Sequence, residues 1–162
     1  GLSIRQPWTH AIFYLGKDVE NRDWHTSVCG RVAIHASGTM SKYDYEESRD
    51  WIMDRIGLDT ANAIPPHNCL VRGVIIGTVE IVACVNQSPS RWFVGKFGFV
   101  MRDPVLLAEP VPFKAMLGFW DVPDELLFNV CRQCGRSRDG HALAVMMHED
   151  GACEEFIGEY EC

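Results

Sequence analysis

The stretch Gly16-Lys17-Asp18-Val19-Glu20-Asn21-Arg22-Asp23-Trp24 packs two basic groups, three carboxylates and an indole into a span too short to be a core. With Val19 flanked by charges, it reads as a strand or extended loop whose faces alternate. Lys17 and Val19 are expected on one side, with Glu20 and Arg22 on the other. Just upstream, Ser3-Ile4-Arg5-Gln6-Pro7-Trp8 adds a guanidinium, an amide and a second indole. Pro7 suits the first position of a helix, and Trp8, Ala11, Ile12 and Leu15 recur at helical spacing before Gly16 supplies a C-terminal cap. A short helix thus delivers the chain into the charged stretch.

Outward from there, residues 30–37 (Gly-Arg-Val-Ala-Ile-His-Ala-Ser) have the β-branched enrichment of a buried strand, with His35 at its end. Ser41 with Asp44 three residues on is a capping signal, and Tyr45, Trp51, Ile52 and Ile56 mark a helix running to Gly57. Residues 59–68, with Pro65-Pro66, read as a loop. Residues 70–76 and 78–85 are two β-rich runs broken at Gly77, the material of a hairpin or a bulged strand. An aromatic and glycine-rich run, 92–101, is expected to be a loop feeding a strand. Pro-punctuated strands follow at 105–107 and 111–113, and a short helix at 123–130. Many short strands against three helices favour an α+β fold with a strongly bent sheet or small barrel. A doubly wound parallel sheet would need a strand–helix alternation that is absent.

With 162 residues the chain is expected to form one domain plus an appendage, divided here into a body of 1–126 and a short Cys-rich tail of 127–162. No apolar run approaches the roughly 18 residues of a membrane span, and no leader opens the sequence, so the expected location is cytoplasmic. Seven cysteines, odd in number and unevenly spaced, argue for reduced thiols over a disulfide framework. A net charge of −7 opposes unspecific attraction to a phosphate backbone. More than half of it resides in residues 128–162, which carry 3 basic against 7 acidic side chains.

Three motifs occur in order: Ser3-Ile4-Arg5-Gln6-Pro7-Trp8, then Gly16-Lys17-x-Val19-Glu20-x-Arg22-x-Trp24, then Gly30-Arg31 leading to Ile34-His35-Ala36-Ser37. Together they resemble the ASCH domain, within the PUA-like superfamily, over about residues 2–126. Gly77-Thr78-Val79-Glu80-Ile81 and Gly98-Phe99-Val100 look like that family's closing strands. The resemblance implies a small bent β-barrel decorated with helices, and a cleft where the Lys-x-x-Glu-x-Arg strand meets the first helix. It also implies a ligand that is RNA or a nucleotide. One branch, the small bacterial amidohydrolases, removes the acetyl group from N-acetylated cytidine nucleosides with a Lys and a Thr of this motif and a downstream Glu. Lys17 matches that Lys, Glu20 stands at the Thr position, and the downstream Glu has no matched counterpart.

The leading expectation is therefore a module that binds RNA or a modified nucleotide. Arg22 would suit a phosphate or base edge through its planar fork, and Glu20 could accept from a cytosine or guanine amino group. Trp8, Trp24 and Trp92 are candidates to stack a base, or else core residues. Arg5 and Gln6 precede a helix start, where an anion site and a capping amide are both natural. His35 is a buried histidine supporting the site. Arg72, interrupting an apolar run, would need a carboxylate such as Glu20 or Glu80. The alternative is an amidohydrolase of acetylated cytidine, with Lys17 and Glu20 in the proton and acyl chemistry. The third reading is a protein-interaction module docking a partner through its acidic tail. In that tail Cys131-x2-Cys134 and His148-x4-Cys153 have the spacing of a zinc knuckle, with His141 and Cys162 as spare ligands. No other cofactor is expected.

Overall fold

The computed structural model describes residues 1–114, 116–123 and 126. Its elements run β1 (Leu2–Ile4), α1 (Trp8–Tyr14), β2 (Val19–Arg22), β3 (Gly30–Ala36), α2 (Lys42–Arg55), α3 (Leu58–Asn62), a 3-10 turn (His67–Cys69), β4 (Val74–Val85) and β5 (Phe97–Pro112). The α+β class holds. The five strands form one sheet in the order β1-β3-β4-β5-β2, with β1 parallel to β3 and every other pair antiparallel.

The sheet does not close into the expected barrel. Strands β1 and β2 are its two edges, with no ladder between them among the described residues. The outer edge of three-residue β1 is instead occupied by the returning chain: Leu2 bridges Phe119, and the Trp120 amide donates to the Gly1 carbonyl at 3.1 Å. An edge already paired cannot take up a further strand. Where the two edges approach, a side chain spans them, with Arg22 Nη2 donating to the Ser3 carbonyl at 2.7 Å.

Alternation along β3 sorts the core. Val32 and Ile34 join Leu2, Ile4, Ile12, Val79, Ile81, Phe99 and Met101 on one face, whereas Ala33 faces Ile75, Leu107 and Trp120 on the other. A second cluster, Ala11, Met40, Ile52, Ala61, Ile64, Leu70 and Trp92, lies under α2 and α3. Ser41 and Asp44 form a complete capping box at the start of α2. Residues 59–68 are not all loop, since Leu58–Asn62 is helical and buries Ala61.

Of the two readings at Gly77, hairpin or bulged strand, the bulged strand forms, and the run punctuated by Pro104 and Pro110 is one continuous strand. Strand β4 passes through Gly77 with register shifts between Ile75 and Gly77, Thr78 and Glu80, and Ile81 and Ala83. Strand β5 tolerates its prolines because β2 covers its far side only at Phe97–Val100, so the later residues owe no ladder bond there. The extra residue of a bulge, at Asp103, has a positive φ of 49°.

Helix α1 ends as expected, with Gly16 at φ 69° and the Lys17 amide returning to the Ala11 carbonyl at 3.0 Å. On this helix His10 stacks on Tyr14 at 4.6 Å, and burial pushes its pKa down to about 4, against a smaller upward pull from a hydrogen bond to the Ala63 backbone. A ring kept neutral by the fold contributes stability that is complete above its unfolded pKa, about 6.5, and is lost as pH falls toward 4. Burial lowers His35 in the same direction. Denaturant titrations should therefore show stability falling between pH 7 and 4.5. His10→Gln should remove about 1 kcal/mol of that fall, a figure discounted for the ring's partial exposure. An unchanged pH slope in the variant would refute this assignment.

The boundary at 126/127, most of the expected 123–130 helix and the whole Cys131, Cys134, His148, Cys153 set lie outside the described residues. Among the described cysteines Cys29 and Cys84 are free. Among the described residues no group of three or more His, Cys, Asp or Glu could hold a metal ion, and no helix is long and apolar enough to cross a membrane.

Candidate functional site

Lys17 owes its place to the turn that leaves α1. It precedes β2 rather than lying within it, so its side chain is not bound to strand alternation. Lys17 therefore reaches Glu20, which the alternating pattern put on the opposite side. Its ammonium donates to Glu20 Oε2 at 2.8 Å and to the Val19 carbonyl. Glu20 Oε1 in turn lies 3.2 Å from Arg22 Nη2, a residue two positions on and on the same strand face.

The residues of this chain of charges are withdrawn from solvent: Lys17 is 3% and Glu20 8% exposed. Two cations flank one carboxylate, leaving a net positive charge. Burial of charge is tolerated only with partners, and here most are supplied by the protein itself. Two exceptions sit in the β1–β2 seam, where Arg22 Nε and Ser3 Oγ are buried without a hydrogen-bond partner among the described residues.

Beside this network lies a cavity of about 220 Å³ lined by Trp8, Lys17, Glu20, Asn21, Trp51 and Val94. Trp8 and Trp51 meet edge to face, with centroids 5.3 Å apart at 80°. Asn21 does not offer its amide freely, because Nδ2 donates to the Trp92 carbonyl at 2.8 Å and Oδ1 accepts from the Val94 amide at 2.9 Å. It fastens the 92–94 loop to β2 and so fixes one wall. Lys17 and Glu20 remain the charged groups of the lining, which they share with the two indoles.

Of the residues singled out from sequence, Trp8, Lys17 and Glu20 thus converge on the cavity, and Arg22 joins them through Glu20. Others lie elsewhere. Trp24, 37% exposed, packs edge-on against Phe99 at 5.0 Å and Phe119 at 5.6 Å and does not line the cavity. Trp92 is a core residue, 6% exposed, in the cluster under α2. Gln6 is buried, donating to the Val71 carbonyl at 2.8 Å and accepting from the His10 amide at 3.0 Å, a capping arrangement. Arg5 is exposed, with its charge felt by Asp44 at the start of α2.

His35 is 2% exposed, bonded through Nε2 to the Phe113 carbonyl at 3.0 Å and close to Trp120. Arg72 takes neither Glu20 nor Glu80 as partner. It donates to the Met40 carbonyl at 3.4 Å, while Glu80 is held by a bidentate Arg102 at 3.1 and 2.9 Å. That fork holds the Glu80 carboxyl below its usual range. Trp51, Asn21 and Val94 were not legible as site residues. Trp51 reads as one more apolar position of α2, and only the packing of that helix over α1 turns its ring toward Trp8.

No protein-family model matches the chain. Over 133 residues it is 23% identical to activating signal cointegrator 1 of Mus musculus, covering 77% of this chain and 22% of that protein. The chain thus spans about a fifth of the length of this curated relative. The relative contains an ASCH domain, so the similarity agrees with the resemblance carried by the three motifs.

Proposed function

We propose that this chain is an ASCH-type module that binds RNA or a modified nucleotide, with one base entering the cavity beside the touching Trp8 and Trp51 rings and meeting Lys17 and Glu20. The supporting observation is the juxtaposition of two indole walls with a buried ion pair at 2.8 Å in one cavity of about 220 Å³. Stacking supplies affinity that every base can use, and a carboxylate and an ammonium at the ring edge supply selection among donor and acceptor patterns. The similarity to a protein with an ASCH domain supports the same reading.

Trp51→Leu keeps an apolar side chain at the helix interface while removing the ring. Titration of single-stranded RNA and of the four ribonucleosides, followed by tryptophan fluorescence, should show affinity about 10- to 100-fold weaker in this variant. Equal affinities, or no binding to the unsubstituted protein, would overturn the cavity assignment.

A second reading is an amidohydrolase of acetylated cytidine, favoured by the contact of Lys17 Nζ with Glu20 Oε2 at the cavity wall. Against it, Lys17 already donates to two acceptors, and Glu20 stands where that branch has Thr. Loss of the acetyl group from N-acetylcytidine in the presence of the protein, abolished in Lys17→Ala, would establish the enzyme over the binding module.

A further inference from the structure

Arg55 closes helix α2 one turn beyond Trp51, and its guanidinium carbon lies 5.7 Å from the centroid of the Trp51 ring, one wall of the cavity. Its Nε donates to the Arg91 carbonyl at 3.0 Å and its Nη2 to the Phe93 carbonyl at 3.2 Å. Arg91 returns the contact through Nη2 to the Arg55 carbonyl. Two like charges are thereby locked together, yet every acceptor is a neutral carbonyl, and neither arginine has a carboxylate within ion-pairing distance among the described residues. Arg22 and Arg102, by contrast, are each paired.

Arg55 Nη1 and both Nε and Nη1 of Arg91 make no hydrogen bond among the described residues. The clamp also fixes residues 91–93, next to Val94 of the cavity wall. The partial negative charge at the end of α2 accounts for the bond from Arg91 to the Arg55 carbonyl, but not for a second uncompensated guanidinium beside it.

We propose that Arg55 and Arg91 form a rim that contacts a phosphate group of the ligand, so that the preferred ligand is a phosphorylated nucleotide or an RNA strand rather than a free nucleoside. This rests on the base-binding reading of the cavity. Forks already held in place lose little freedom on meeting a phosphate, and their planar donors suit its oxygens. Because the chain as a whole carries −7, such attraction must be local.

The test compares the unsubstituted protein with R55Q/R91Q, using the four ribonucleosides, their 5′-monophosphates, ribose 5-phosphate and a single-stranded hexaribonucleotide, alongside thermal denaturation. Monophosphates should bind about 10-fold or more tightly than nucleosides, and the double variant should erase that advantage, read as the ratio of monophosphate to nucleoside affinity within each protein. The salt slope for the hexamer should fall by about 1.4 if both arginines meet strand phosphates, and stay unchanged if the phosphate belongs to a free nucleotide. Equal affinity for nucleosides and monophosphates, or an advantage that survives R55Q/R91Q, overturns the rim. So does a parallel loss of nucleoside affinity and thermal stability, which would make the arginines a structural clamp only. If ribose 5-phosphate binds and the double variant loses it while nucleosides do not bind at all, the rim stands and the base-binding reading falls. Should the double variant fail to fold, R91Q, which gives up a single hydrogen bond, must still cut the phosphate advantage about threefold or more, and no cut overturns the proposal.

Discussion

Glu20→Gln is expected to lower stability by about 3 kcal/mol, seen as a fall in Tm on the order of 10 °C. The substitution is close to isosteric, so no cavity opens. It removes the one negative charge that faces Lys17 at 2.8 Å and Arg22 at 3.2 Å, with Lys17 only 3% exposed. Taking away one partner of a buried pair costs more than the pair contributes, because the other charge stays buried. The companion Lys17→Met/Glu20→Gln should therefore recover most of the loss, and the cycle should yield a coupling of about 1.5 kcal/mol or more. A Glu20→Gln protein within 0.5 kcal/mol of the original, the usual range for surface changes, would mean that the network is solvated rather than sealed.

Gly77→Ala should be at least as damaging. A β-carbon there would lie 2.5 Å from both the Phe13 ring and the Val105 carbonyl oxygen, so α1 on one side and the β5 backbone on the other would have to give way. Overpacking of this kind costs about 1–3 kcal/mol where side chains can move, and more where backbone is the obstacle. Loss of soluble protein, or a fall of about 3 kcal/mol or more in denaturant titration, is the expected result. Adding Phe13→Ala should restore only part, since the carbonyl contact remains. Full rescue by Phe13→Ala would show that the ring alone decides. The damage would reach the site through α1, because the turn after that helix carries Lys17.

Much of the frame is written in local chemistry. The short helix that Gly16 ends, the Ser41–Asp44 capping box and the extended Val19–Arg22 segment depend on residues within a few positions of one another, and each forms where the sequence places it. The bulged strand rather than a hairpin formed at Gly77, and the breaks expected at Pro104 and Pro110 did not occur, for reasons the sequence does not carry. Whether a glycine ends a strand or admits a neighbouring helix depends on what packs there. Whether a proline is tolerated depends on which side of the strand is left unpaired.

The same division applies to the cleft. Lys17, Glu20 and Arg22 announce themselves because charges so dense in an extended segment have few structural uses, and they do form one network. Trp24 and Trp92 are indoles of equal sequence prominence, yet one packs on Phe99 and Phe119 and the other sinks into the core. The sequence by itself determined the helix that ends in Gly16, the extended strand after it and the charged groups they carry, since these follow from backbone preference and spacing. Only the tertiary structure decided that β1 and β2 stay unpaired with each other and are spanned by Arg22, that Trp51 meets Trp8 edge to face in the cavity lining, and that Arg55 meets Arg91. Each of these contacts joins residues remote along the chain, and their distance is set by how the sheet curves and how α2 packs.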